Sequence, residues 1–183
     1  MRLIKIILLF IILLIGNYSF YTPAQTDEEY SLKAAFIYRF TDYIEWANNN
    51  LGTDFTIAVL GQSNIISPLN EIAKGRKIKN RNINIKVWQD VNNIGDCDIL
   101  FIPKDYQANI ETITAKINNQ PVLIIAEQKD ASLQGADINF IVSENKLKFE
   151  INLKAALRAG FKISSQLLQH AVLINTDWKL CLI

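Results

Sequence analysis

The sequence predicts a single α/β domain with a mixed, mainly parallel sheet, helices on both faces of it, and a C-terminal β-hairpin followed by a helix. Three observations support this prediction. Short β-rich runs alternate along the chain with segments whose apolar residues recur at helical spacing. Two of the runs are apolar throughout, as in strands covered on both faces. Near the C-terminus, three polar residues separate two β-rich runs, which is typical of an antiparallel hairpin.

The N-terminus has the composition of a secretory signal peptide. Arg2 and Lys5 precede an apolar run over residues 6–15, and Thr22-Pro23-Ala24 suits signal peptidase. The run is shorter than the roughly 18–20 residues that span a bilayer. We expect a signal peptide over residues 1–24 and a domain over residues 25–183 that does not itself span the membrane. A retained N-terminal anchor is the alternative.

The first predicted element after the cleavage point is a helix. Thr26 to Glu29 has the form of a capping box, and apolar residues recur at helical spacing from Leu32 as far as Trp46. The elements expected next are a strand at 55–60, a helix ending near 73, a half-exposed strand at 83–88, a buried strand at 99–102, a helix at 105–117 and a buried strand at 122–126.

The last predicted elements are the hairpin, with strands at 138–142 and 146–151, and one helix that continues to Ala171. Asn152 is expected to cap this helix. Small residues four apart, Ala156, Gly160 and Ser164, would let a neighbouring backbone approach it closely.

Charge and composition exclude several classes of function. After cleavage, 17 of the 19 basic residues remain against 18 acidic ones, a net charge of about −1 that favours neither nucleic acid nor an anionic membrane. The one basic cluster, residues 74–81, is interpreted as a solvated loop. With one histidine and two cysteines, no closed zinc site is expected, and no cofactor motif is present.

No set of residues predicts catalysis. His170 is the only histidine, without an adjacent nucleophile or orienting acid, so a contact in a ligand pocket is favoured over catalysis. Glu127, Asp130 and Asp137 lie in a predicted loop where paired carboxylates could act in hydrolysis, but an ordinary surface loop is the simpler interpretation. We therefore predict that the chain is not an enzyme.

Binding residues are predicted at two kinds of position. Tyr38 and Arg39 fall off the main stripe of the first helix, and an exposed aromatic beside an arginine is typical of interface hot spots. Arg158 in the last helix is a third candidate for partner binding. Gly61 follows the first strand of the sheet, where α/β folds bind ligands, so Gly61 and His170 are the candidates for a ligand pocket.

Cys97 and Cys181 are the only cysteines. In an oxidising compartment they could form a disulfide. Two separate thiols are the alternative, because Cys97 opens an apolar run typical of a buried strand.

Three segments carry a resemblance to a known family. They are Leu32-Lys33-Ala34-Ala35-Phe36 with Phe40, Tyr43 and Trp46; the two runs at 55–61 and 97–102; and Ile138-Asn139-Phe140 with Phe149-Glu150-Ile151-Asn152, Ala155, Ala156, Arg158, Lys162-Ile163-Ser164-Ser165 and Leu167-Leu168. In these segments the chain resembles the YfiR family of small periplasmic proteins. Ala47 stands where the family often has proline, and the small number of cysteines puts redox control in doubt.

The resemblance implies a regulator that is not an enzyme. It would bind and repress the periplasmic sensor domain of an inner-membrane signalling protein, a diguanylate cyclase or a similar sensor, and so lower cyclic di-GMP. Self-association into a homodimer is left open. A periplasmic small-molecule-binding sensor module is the alternative function, and a hydrolase using Glu127 and His170 ranks last.

The family residues have structural roles open to them. They are Phe36, Trp46, Phe149, Glu150 and Asn152. Alternation along the strand would bury Phe149, and a pair between Glu150 and Arg158 is suggested by their spacing. We expect these residues to maintain the fold rather than to contact the partner.

Overall fold

A computed structural model describes residues 27–46, 52–107, 109–117 and 120–174. Its elements in chain order are α1 (Asp27–Tyr43), β1 (Ile44–Trp46), β2 (Asp54–Leu60), α2 (Ile66–Gly75), β3 (Lys77–Ile78), β4 (Arg81–Trp88), β5 (Ile99–Ile102), α3 (Ile110–Ile117), β6 (Leu123–Ala126), β7 (Ile138–Ser143), β8 (Lys146–Asn152), α4 (Leu153–Arg158), β9 (Phe161–Ile163), α5 (Ser165–Leu168) and β10 (Val172–Ile174). No helix in the described ranges is long and apolar enough to cross a membrane.

Eight strands form one sheet in the order β10-β8-β7-β6-β5-β2-β4-β3. The five central strands, from β4 to β7, pair in parallel, whereas β7 and β8 form the antiparallel hairpin. This confirms the predicted mixed, mainly parallel sheet. The hairpin is not at the edge, because β10 adds to β8 in parallel.

Helices cover both faces of the sheet, as predicted. On one face, α1 buries Ala34, Ile37 and Phe40 in a core that also contains Leu69 of α2. On the other face, α3 buries three isoleucines, including Ile113. Strands β5 and β6 are buried at every position, as expected for strands between two helical layers.

Helix α1 is shorter than its apolar pattern predicts, and Leu32 lies outside its buried face. It ends at Tyr43, and residues 44–46 form β1, which pairs antiparallel with β9. Leu32 is 48% exposed, whereas Lys33 is buried. Ile44 and Trp46 are buried alternately as in a strand, so tertiary pairing overrides the continuation of the helix.

The single C-terminal helix predicted to reach Ala171 is wrong. Asn152 caps α4 as predicted, since its Oδ1 accepts the Ala155 amide hydrogen at 3.0 Å, but α4 ends at Arg158. Gly160 follows with a φ of +86°, a left-handed conformation that glycine adopts at little cost and that ends the helix. The chain then forms β9 and the short helix α5, which Ser164 caps.

Helix α3 begins five residues later than predicted, at Ile110. The side chain of Asn109 accepts the amide hydrogen of Glu111 at 2.7 Å, a local bond that favours a helix start at this point.

Candidate functional site

An open cleft of about 480 Å³ lies between α1, β8 and α5. We call it the α1–α5 cleft and define it by its lining residues, Phe36, Arg39, Phe40, Tyr43, Phe149, Gln166, Leu167, Gln169 and His170. The break between α4 and α5 forms this cleft, because β9 turns the chain back onto α1 through its pairing with β1.

The floor of the α1–α5 cleft is a cluster of phenylalanines. The ring of Phe40 meets that of Phe149 edge-on, with 5.0 Å between centroids, and Phe36 lies 5.8 Å from Phe149. Phe140 of β7 completes the cluster, 6.0 Å from Phe40. Since Phe40 and Phe149 are buried and Phe36 is half-buried, the cleft presents an ordered apolar floor with part of one ring accessible.

The rim of the same cleft is polar and exposed. Arg39 donates to Asp42 Oδ2 from Nη1 at 3.0 Å, and both side chains are about half exposed. Gln166, Gln169 and His170 are exposed on the opposite wall. A floor of aromatic rings beside an arginine and amide groups suits an apolar anchor flanked by polar or acidic groups.

The structure brings together only some of the predicted binding residues. Arg39 and His170 line one cleft, whereas Tyr38 lies elsewhere on α1, with its ring 5.1 Å from the Arg76 guanidinium. Arg158 lies on α4, at a second and smaller cleft. The partner-binding roles of these residues therefore stay predictions, and Arg39 has the most favourable surroundings.

The carboxyl edge of the sheet near Gly61, where a ligand pocket is predicted, is occupied by side chains. The Tyr106 ring lies over Gly61, 3.0 Å from the place of an added Cβ. Beyond it, buried Lys33 of α1 forms ion pairs with Glu127 and, at 2.8 Å, with Glu29. The two candidates for a ligand pocket, Gly61 and His170, are thus not brought into one site.

Glu127 is not the surface residue that the sequence suggests. Its Oε1 accepts hydrogen bonds from the Tyr30 hydroxyl at 3.3 Å and from the Lys104 amide at 3.2 Å, while its other oxygen accepts from Lys33. Burial and the neighbouring Glu127 raise the pKa of Tyr30 to about 12. Glu127 contacts the first turns of α1, whereas His170 lies in the cleft at the C-terminal end of that helix. The structure therefore does not bring Glu127 and His170 together, as a hydrolase that uses both would need.

Asp137 is also buried, at the second cleft, which has a volume of about 50 Å³. We call it the Asp137 cleft; its lining residues are Thr114, Ile117, Gln120, Val122, Ile124, Gly135, Asp137, Ala155, Arg158 and Ala159. Burial raises the pKa of Asp137 to about 7, although the Ile124 amide and the charge of Arg158 act in the opposite direction. Asp137, too, is thus not a surface residue.

The family residues outside the α1–α5 cleft have structural contacts. The Trp46 indole donates to the carbonyl of Asp98 at 3.3 Å, and its ring packs edge-on against Phe55 and Phe161. Glu150 accepts from the side-chain amide of Asn139 at 3.1 Å instead of pairing with Arg158. Phe36 and Phe149 pack in the core and also line the α1–α5 cleft.

The basic cluster at residues 74–81 is only partly a solvated loop. The Arg81 guanidinium pairs with buried Asp98, and the Lys79 ammonium lies 4.7 Å from the Trp46 ring. In contrast, the pair between Lys74 and Glu71 is exposed. Arg81 therefore bonds at the amino edge of the sheet, Lys79 packs against β1 and Arg76 against Tyr38, so three of the five cations have contacts within the fold.

Two further predictions fall at least partly outside the described residues. Cys97 is a buried thiol whose pKa burial raises to about 12, and Cys181 lies in the C-terminal segment that the structure does not describe. The disulfide stays a prediction, as does the signal peptide, since residues 1–26 are not described either. Within the described ranges, no group of three His, Cys, Asp or Glu residues could hold a metal ion.

Comparison with known protein families gives a match. The profile of a family described as YfiR/HmsC-like matches residues 30–172, which is more than half of the chain and confirms the resemblance seen in the sequence. No curated protein matches the chain. The match includes both walls of the α1–α5 cleft and also the Asp137 cleft.

Proposed function

We propose that this chain, which belongs to the YfiR/HmsC-like family, binds the periplasmic sensor domain of an inner-membrane signalling protein and holds it inactive. Membership of the family suggests a periplasmic regulator of cyclic di-GMP signalling. The finer proposal is that the receptor is a diguanylate cyclase or a similar sensor, and that the α1–α5 cleft is the docking site.

The observation that carries the docking site is the accessible aromatic floor beside Arg39. Interface hot spots combine an aromatic or apolar anchor in a pocket with an arginine at its border. The half-buried Phe36 supplies accessible apolar surface, and Arg39 lies one turn further along the same helix. We therefore expect the receptor to insert an apolar side chain over Phe36 and to place a carboxylate or carbonyl near Arg39.

Repression follows from differential affinity. A regulator that binds only the inactive conformation of its receptor shifts the receptor toward that conformation by the free energy of binding. To move the receptor from mostly active to mostly inactive, the two affinities must differ about 10⁴-fold. Loss of one hot-spot contact, commonly above about 2 kcal/mol, would weaken binding to the receptor about 30-fold or more and so reduce repression.

Complementation of a deletion strain tests this proposal. Deleting the chain should raise cyclic di-GMP, and the wild-type chain should lower it again. Arg39→Glu should fail to do so although it accumulates in the periplasm, because it repels an acidic or carbonyl-rich contact. Lys154→Glu, at an exposed position of α4, is the matched control and should restore repression. Full repression by Arg39→Glu would exclude this cleft as the docking site.

The volume of the same cleft supports a second candidate function. At about 480 Å³, it lies within the range of small-molecule pockets. A sensor of small apolar metabolites would be stabilised by its ligand, by about 2.7 kcal/mol at a hundred times the dissociation constant. Thermal-shift screening of wild type and His170→Ala distinguishes the two functions. A ligand-dependent rise in Tm that His170→Ala abolishes favours the sensor, and no rise across a broad metabolite screen excludes it.

A further inference from the structure

The lining of the Asp137 cleft includes a buried carboxyl and an exposed arginine. Asp137 lies at its base with 2% exposure, and one carboxyl oxygen accepts the Ile124 amide hydrogen at 2.8 Å. Arg158, the last residue of α4, lines the same cleft and is exposed. A volume of about 50 Å³ leaves room there for a small group or for one or two water molecules.

The residues that line this cleft around the acid are otherwise apolar or uncharged, apart from Arg158. Helix α3 contributes Thr114 and Ile117, strand β6 contributes Ile124, and the turn before Asp137 contributes Gly135. Helix α4 contributes Ala155 and Arg158. Among the residues lining this cleft, Arg158 is thus the one charged group that faces the carboxyl.

Arg158 is near Asp137 but not bonded to it. Its charge favours the ionised carboxyl, yet no ion pair within 4.0 Å joins the two described side chains. An arginine side chain has several rotatable bonds and can keep its stem on the protein while its charged end moves between solvent and a cleft. Asp137 and Arg158 therefore lie close to each other without forming an ion pair.

We propose that Asp137 and Arg158 form a proton-controlled switch, in which ionisation of the carboxyl draws the guanidinium into the cleft and protonation releases it to the surface. The inference concerns this cleft alone and does not depend on the function of the α1–α5 cleft.

The physical reason is the cost of an isolated buried charge. A buried carboxyl that is neutral needs no counter-ion, whereas the ionised form requires pairing or further hydrogen bonds. Arg158 can supply both through two parallel N–H donors. With a pKa of about 7, the carboxyl changes state close to neutral pH. The consequence is that Arg158 is available at the surface below this pH and is withdrawn above it.

Nuclear magnetic resonance on the exported, isotope-labelled protein tests the switch between pH 5 and 9. The side-chain Nε signal of Arg158 should move with the same midpoint as the Asp137 carboxyl carbon. In Asp137→Asn, this movement of the Arg158 signal should disappear. If the Arg158 signal has the same pH dependence in Asp137→Asn as in wild type, the switch is wrong.

A second variant decides the matter even where Asp137→Asn does not fold. Arg158→Gln should raise the Asp137 midpoint by about one pH unit, because the nearby positive charge is lost. Lys154→Gln, one turn earlier on α4 and exposed, is the matched control and should leave the midpoint unchanged. An unchanged midpoint in Arg158→Gln overturns the proposal.

Discussion

Glu127 and Asp137 flank the same turn, and both are buried, yet their surroundings differ. Glu127 accepts from Lys33, Tyr30 and a backbone amide. Asp137 has one amide donor, from Ile124, and Arg158 lies nearby without being bonded to it. The surroundings differ because the two carboxyls face different helices. Helix α1 brings a lysine to Glu127, whereas α3 places Thr114 and Ile117 beside Asp137. Burial alone does not decide the chemistry of a carboxyl; the facing helix does.

The largest effect should come from breaking the Glu127 pair. Glu127→Ala leaves Lys33 buried with Glu29 as its remaining acidic partner. Removing one member of a buried ion pair costs up to about 3–5 kcal/mol when the other charge is left uncompensated, and Glu29 offsets part of that cost here. Urea denaturation at pH 7 measures this loss.

A double variant separates the ion pair from simple packing. Lys33→Met with Glu127→Leu removes both charges and keeps most of the volume, so it should recover most of the lost stability. The exposed pair gives the control, and Lys74→Ala should change stability by less than about 1 kcal/mol. If Glu127→Ala costs no more than Lys74→Ala, the buried pair does not stabilise the fold.

The next effect is the pH dependence caused by Asp137. Its pKa is raised from 3.8 to about 7 on folding, so the folded state binds the proton more tightly than the unfolded state does. The resulting stability is complete below about pH 4 and is lost as pH rises through 7. Between pH 5 and 8 the loss should be roughly 2–3 kcal/mol.

The matched variant for this pH effect is Asp137→Asn, which cannot ionise. Denaturation curves at several pH values should show a smaller decline for Asp137→Asn than for wild type across this interval. Equal declines would mean that Asp137 does not titrate in this range, and the contrast between the two carboxyls would then disappear.

A smaller effect should come from loosening the turn between the two carboxyls. Asn152 caps α4 and also donates from its side-chain amide to the carbonyl of Ser132, at 2.7 Å, in the middle of that turn. Asn152→Ala removes both bonds and should cost about 1–2 kcal/mol. Asn152→Ser keeps a cap oxygen and loses the amide donor, so a cost between those of wild type and Asn152→Ala would show that both bonds contribute.

The sequence predicts the elements of the sheet well because their signals are local. Apolar runs such as Ile99–Ile102 and the polar hairpin turn determine strands without reference to distant parts of the chain. The turn itself contains Glu144 and Asn145 with positive φ, as two-residue hairpin turns require. The Asn152 cap is equally local.

Non-local features escape such patterns. The helical spacing from Leu153 to Ala171 is real, but Gly160 ends the helix because β9 pairs with β1, more than a hundred residues earlier. Lys33 falls on the buried face since Glu127, 94 residues away, neutralises it. The candidate cleft depends on this same pairing, so the sequence predicted Arg39 and His170 separately and could not place them together.

The smallest effect on stability, and the one that separates binding from folding, should come from Arg39. Its pair with Asp42 is exposed on both sides, and such pairs contribute at most about 1 kcal/mol. The free energy of unfolding of Arg39→Ala should therefore be within about 0.5 kcal/mol of the wild-type value, in contrast to that of Glu127→Ala. Repression of cyclic di-GMP should nevertheless weaken. Asp42→Ala is the control, because it removes the same pair and leaves the arginine in place. If Arg39→Ala and Asp42→Ala weaken repression equally, the ion pair matters and not the arginine alone. If Arg39→Ala is as unstable as Glu127→Ala, Arg39 is a structural residue and the docking surface lies elsewhere.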